Sequence, residues 1–94
     1  MIVIWSEDAL RDLQRIFDYI ALDSPQAALL VDDRITGQTD ILADFPLAGR
    51  VGRMVDTREL VIQDTPYLAV YAVDEAQITI LRIIHGAQIW PLTF

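Results

Sequence analysis

Arg58, Arg82 and His85 are the residues of this sequence whose types could serve a reaction. Guanidinium groups stabilise the charge that develops on a phosphorane-like centre, and an imidazole moves protons near neutral pH. Brought together near one end of a sheet, the three would form a toolkit for cutting RNA through its own 2′-hydroxyl, which needs no metal. Each residue also has a structural reading. His85, beside Gly86, suits a strand end with its ring hydrogen-bonded locally, and Arg82 suits an ion pair, with Glu59 as partner.

Other chemistries have no residues to carry them. Cysteine is absent and histidine occurs once, which excludes thiolate chemistry and makes no provision for a histidine-based metal site. The glycines at 37, 49, 52 and 86 match no phosphate-binding loop, and no G-x-S-x-G elbow occurs. Asp32 and Asp33 are adjacent on a helix, so they point apart and face solvent. No metal and no cofactor is expected.

The 94 residues carry 14 acids and 7 bases, a formal charge of −7, and every base is an arginine. Proteins that hold nucleic acid by its backbone carry an excess of basic charge, so direct nucleic-acid binding is not expected. Arg50, Arg53 and Arg58 cluster within one short stretch, either as solvated surface residues or as a local contact site. Apolar residues make up 53%, too many for a disordered chain. No apolar run reaches the roughly 18 residues of a membrane span, and Met1–Trp5 lacks the basic flank of a signal peptide. A cytoplasmic single domain over 1–94, with a modest core, follows.

Two kinds of periodicity divide the chain. Met1–Trp5 reads as a short strand, and Ser6 as the N-cap of a helix with Glu7 and Asp8 in its first turn. Ala9, Leu10, Leu13, Ile16, Phe17 and Ile20 make the apolar stripe of about four turns. Ser24-Pro25 restarts the chain as N-cap and first helical residue, and the second helix is expected to run to about Asp44, before Phe45-Pro46. So short a link makes the helices an antiparallel hairpin. From Gly49 the period is two: Val51–Val55, Arg58–Ile62, Tyr67–Val73 and Gln77–Ile84 read as strands, with turns at 64–66 and 74–76. The order β-α-α-β-β-β-β predicts an α+β, two-layer sandwich: an N-terminal strand, an antiparallel helical hairpin and a C-terminal antiparallel sheet.

Strict alternation places Ile78, Ile80, Arg82 and Ile84 on one face of the last strand, and Thr79, Leu81, Ile83 and His85 on the other. In the strand before it, Tyr67, Ala69, Tyr71 and Val73 oppose Leu68, Val70 and Ala72. Both faces are apolar, but two helices cover only one. The other is covered either by the chain's own Ile89–Phe94 or by a partner protein.

These residues resemble a known group. Trp5, Ala9, Leu13, Ile16 and Tyr19-Ile20, then Phe45-Pro46 and Gly49-Arg50-Val51-Gly52-Arg53, then Thr57-Arg58-Glu59-Leu60-Val61-Ile62, Val70-Tyr71, Ile80-Leu81-Arg82, His85-Gly86 and Trp90-Pro91 resemble, in order, the RelE/ParE superfamily of bacterial toxins. The likeness spans nearly the whole chain and lies closer to the ParE-like branch. It implies a type II toxin encoded beside an antitoxin, whose extended segment folds as it wraps the toxin and covers the open sheet face.

Two activities divide that superfamily. RelE-like members cut messenger RNA in the ribosome, using several basic residues and a C-terminal acid or base. ParE-like members interfere with DNA gyrase. Arg58 and Arg82 match arginines of the nuclease members, but the accompanying lysines are missing, and Trp90 cannot transfer a proton as tyrosine or histidine could. With the acidic charge, this favours inhibition of gyrase over ribosome-dependent RNA cleavage. Arg50, Arg53, Tyr71 and Trp90 are then the residues expected to touch target or antitoxin, while Arg58, Arg82 and His85 are the catalytic ones if the chain is a nuclease. Ala72 stands where similar proteins often carry arginine, and Asp56 where they carry glycine. Both lower the local positive charge, which leaves a third reading: an attenuated toxin that only binds antitoxin, whose toxicity arginine at 72 would restore.

Overall fold

The computed structural model describes residues 1–87. A strand β1 (Ile2–Trp5) leads into helices α1 (Glu7–Ala21) and α2 (Pro25–Asp40), a 3-10 turn (Ile41–Ala43), and strands β2 (Arg50–Val51), β3 (Arg58–Val61), β4 (Tyr67–Val73) and β5 (Gln77–His85). The α+β order is the one the sequence predicts. No described helix is long and apolar enough to cross a membrane.

Both helices start where their caps dictate. The Ser6 hydroxyl accepts from the Ala9 N–H at 3.1 Å and donates to the Leu81 carbonyl at 2.9 Å, so one side chain caps α1 and ties it to β5. The Ser24 hydroxyl accepts from the Ala27 N–H at 3.1 Å, with Pro25 as the first helical residue. The α2 helix stops at Asp40 and tightens into the 3-10 turn before Phe45-Pro46, instead of running as α-helix to Asp44. The Thr39 hydroxyl bonds the Ile35 and Thr36 carbonyls at this point, which favours a tighter last turn.

The five strands lie in the order β1-β5-β4-β3-β2. The four C-terminal strands are antiparallel, as expected, while β1 joins the far edge parallel to β5. The helical hairpin covers one face, where Ala9, Ile35, Leu42, Ile62, Tyr71 and Ile80 form the centre of the core. A β-bulge corrects the strict alternation of the last strand. Val70 faces Arg82 while Tyr71 faces Ile80, so Leu81 is an extra residue and the pattern inverts beyond it. Ile78, Ile80, Ile83 and His85 therefore share the helix side, and Thr79, Arg82 and Ile84 share the other. On that second face Leu68, Val70 and Ile84 form a small buried cluster, while Ile2, Ile4 and Val61 at its rim are exposed. Ile89–Phe94, the expected cover from the chain itself, lies outside the described residues.

The expected strand over Val51–Val55 is also corrected. β2 ends at Val51, and 52–57 is a turn closed by the Gly52 N–H donating to the Thr57 carbonyl at 2.8 Å, with Asp56 at φ 61°. Gly52 and Asp56 are turn residues, and aspartate is among the few side chains that tolerate left-handed backbone.

Candidate functional site

The α1 stripe contains one charge. Asp12, three residues after Ala9 and four before Ile16, is carried inward against β5. β1 ends at Trp5, opposite Ile80, so it does not pair with the last turnings of β5. Asp12 takes its place. Its Oδ2 accepts from the Ile83 N–H at 3.0 Å and from Arg82 Nε at 2.7 Å, while Oδ1 accepts from Arg82 Nη2 at 3.1 Å. The side chains are 8% and 21% exposed, so the pair is largely out of water. Asp12 raises the pKa of Arg82, against an opposing effect of burial. The expected partner of Arg82, Glu59, is therefore wrong.

This ion pair forms part of the wall of a cavity of about 280 Å³, shared with Arg15, Tyr19, Tyr67 and His85. Burial, and then Tyr19, push the Tyr67 phenol upward in pKa. His85 meets Tyr67 edge to face, with ring centroids 5.5 Å apart, and its Nδ1 accepts from the Ala87 N–H at 3.0 Å. That is the local, strand-end arrangement its position beside Gly86 suggested.

Glu59 organises a second cluster. Its side chain is 1% exposed and accepts from Arg50 Nη2 at 3.1 Å, from Arg53 Nη2 at 3.2 Å and from the Arg53 N–H at 3.0 Å. Burial pushes the Glu59 carboxyl up, but the Arg53 side chain and N–H and the Arg50 side chain outweigh it, and the net pKa lies below the ordinary value. Arg50 and Arg53 keep 58% and 45% of their side chains exposed, so this clasp still presents cationic surface. Beside it the buried Tyr71 hydroxyl donates to the Pro46 carbonyl and accepts from the Gly49 N–H, both at 2.9 Å. A Cβ at Gly49 would lie 2.7 Å from the Tyr71 ring, so this approach requires glycine.

Arg58, Arg82 and His85 are not brought together. Arg58 faces Tyr71, and His85 faces Tyr67 on the other side of β4. Four residues of strand, about 13 Å, separate those levels. Arg58 instead donates to the Gly49 carbonyl at 2.8 Å and lines a separate cleft with Leu47, Asp56 and Ala72. Arg82 and His85 do share a cavity. Of the expected contact residues, Arg50 and Arg53 are accessible, Tyr71 is buried and can influence a partner only by shaping 46–50, and Trp90 lies outside the described residues. No group of three metal-ligating side chains occurs among the described residues. Sequence reasoning missed Asp12 and Glu59 as organising groups. A lone charge inside an apolar helix stripe was the available signal for the first, and two arginines just before a strand glutamate for the second.

The comparisons place this small α+β sandwich in a known family. Residues 3–90 match the family described as the ParE toxin of type II toxin-antitoxin system, parDE, and the chain belongs to that family. The Y4kP protein of Sinorhizobium fredii is 44% identical over 87 residues, covering 93% of this chain and 90% of its own. Toxin RelE2 of Caulobacter vibrioides is 39% identical over 87 residues, covering 93% and 97%. A chain from the chromosomal ParDE toxin-antitoxin system of P. aeruginosa superposes with a TM-score of 0.81 at 32% identity, covering 90% of this chain and 95% of that one.

Proposed function

We propose that this toxin arrests bacterial growth by binding DNA gyrase in the cytoplasm, and that a cognate antitoxin neutralises it by direct binding. The disposition of its positive charge carries this reading. The chain has a formal charge of −7, and Arg11, Arg50, Arg53 and Arg82, four of its seven bases, pair with its own carboxylates. An RNA-cutting site needs cations aimed at phosphate, whereas a protein target is met by shape and apolar contact. Arg58 stands apart from Arg82 and His85, which also favours binding over catalysis.

Membership of a toxin-antitoxin family and the likeness to a ParDE structure support the antitoxin partner. The helices offer it surface: Leu10, Tyr19, Leu22, Leu29 and Leu30 are all exposed, as suits a partner helix laying its apolar side on the hairpin.

The test is induction in bacteria without antitoxin, following labelled thymidine and labelled methionine through the first minutes. Thymidine incorporation falls first if gyrase is the target. Methionine incorporation falling first would overturn the reading in favour of ribosome-dependent RNA cleavage, with Arg82 and His85 as the pair to replace. If neither falls, the chain is an attenuated toxin, and Ala72→Arg is the variant to make.

A further inference from the structure

The stretch 45–58 differs from the rest of the surface in two independent ways. Phe45, Leu47, Val51, Met54 and Val55 are all exposed, with Val51 at 78% and Val55 at 88%. Five large apolar side chains in eleven residues, outside any long helix or strand, are more than scattered surface exposure accounts for. The stretch also holds Arg50, Arg53 and Arg58 against Asp56 alone, a charge of +2 in a chain of −7, which leaves −9 elsewhere. Counting the adjacent buried Glu59, the stretch remains positive.

The same stretch is held in shape from inside. Tyr71 fixes Pro46 and Gly49, Glu59 fixes Arg50 and Arg53, and Arg58 reaches back to the Gly49 carbonyl. The Gly52–Thr57 hydrogen bond closes the tip. An apolar tip fixed by hydrogen bonds of this kind loses little freedom on binding, which is what a recognition surface requires. Beside it runs a cleft lined by Leu47, Val51, Asp56, Arg58, Ala72 and Val73.

We propose that 45–58 and this cleft are the surface with which the toxin grips its target, and that the occupant is an acidic protein segment carrying large apolar side chains. This rests on the reading of the chain as a toxin that binds a protein. Complementary charge selects that occupant: the tip holds three of the seven arginines of an acidic molecule, so it attracts acidic surface that the strongly acidic remainder repels.

The double variant Val51→Glu/Val55→Glu tests it, because both side chains are already in water and neither contributes to the core. Leu47→Asp serves as a second variant. Each is induced in cells and, as purified protein, titrated with antitoxin, with a single-stranded RNA oligonucleotide, and weighed by sedimentation. The proposal expects growth inhibition at least tenfold weaker, antitoxin affinity within twofold of wild type, and unchanged mass and RNA binding. Undiminished growth inhibition would overturn it. So would a tenfold loss of antitoxin affinity, a loss of RNA binding, or dissociation of a wild-type dimer, which would assign the surface to antitoxin, RNA or a second copy. A wild-type chain that arrests nothing would overturn it too, since no target would be gripped. The gyrase reading is judged separately, by whether the wild type stops DNA or protein synthesis first.

Discussion

Asp12 and Glu59 are both buried carboxylates held by arginine, yet one closes a span of 70 residues and the other spans of 6 and 9. Asp12 joins the first helix to the last strand and supplies the acceptor that β1 does not provide to Ile83. Glu59 joins a strand to the turn just before it. A bond across most of the chain restrains the whole fold, while one across a few residues restrains only a loop that is already nearly closed. The partners differ as well. Arg82 is four-fifths buried and has little water to turn to, whereas Arg50 and Arg53 are half exposed. Equal chemistry therefore gives the first clasp a role in stability and the second a role in shape.

The sharpest break of this comparison is Asp12→Ala. It strands the Arg82 guanidinium and the Ile83 N–H, and breaking a buried pair on one side costs about 3 kcal/mol or more. For a domain of this size that is a fall in melting temperature of roughly 12 °C or more, read by thermal unfolding. Asp12→Asn, which can still accept from Ile83, should lose less. A cost under about 1 kcal/mol for Asp12→Ala would remove the asymmetry, because that is the scale of an exposed ion pair.

Glu59→Gln should cost less, about 1–2 kcal/mol, since its arginines can rehydrate. Its signature is local: faster proteolysis within 52–57 with the core melt largely preserved. The pH dependence has a definite sign. The folded-state pKa of Glu59 lies below its ordinary 4.5, so its contribution is complete above about 4.5 and is lost as pH falls through the folded value. Acid unfolding of the wild type should therefore be steeper below pH 4.5 than that of Glu59→Gln. Tyr71→Phe, which deletes the bonds to Pro46 and Gly49, should cost about 1 kcal/mol and loosen the same end of the molecule. The smallest effect is a gain. Asp56 sits at φ 61°, and Asp56→Gly should stabilise by up to about 1 kcal/mol, seen as a small rise in melting temperature.

The elements were legible wherever local chemistry decides them. Ser6 and Ser24 cap the helices, Pro25 opens the second, and Tyr67–Val73 is an unbroken apolar run between turns. What depends on distant chain was not legible. Nothing in the run Ile80-Leu81-Arg82 announces the bulge, because leucine suits either face of a two-sided sheet, and one extra residue puts Arg82, Ile83, Ile84 and His85 each on the face opposite to the one strict alternation assigns. The Asp12–Arg82 pair could not be read from spacing, since no local rule links residues 70 apart. The Glu59 clasp was nearer to hand: Arg50 and Arg53 cluster just before Glu59, but the sequence reading gives that carboxylate to Arg82 and no partner to the cluster. In the same way Gly52 and Asp56 carried the turn that a period of two concealed.

The central claim is that this toxin acts by gripping a protein. The most direct measurement is DNA supercoiling by purified gyrase, titrated with purified toxin in the presence and absence of antitoxin. The account predicts inhibition at near-stoichiometric toxin, reversed by antitoxin and carried fully by Arg82→Lys and His85→Ala toxins that remain folded. Full supercoiling activity at a large excess of toxin that still arrests growing cells would contradict it.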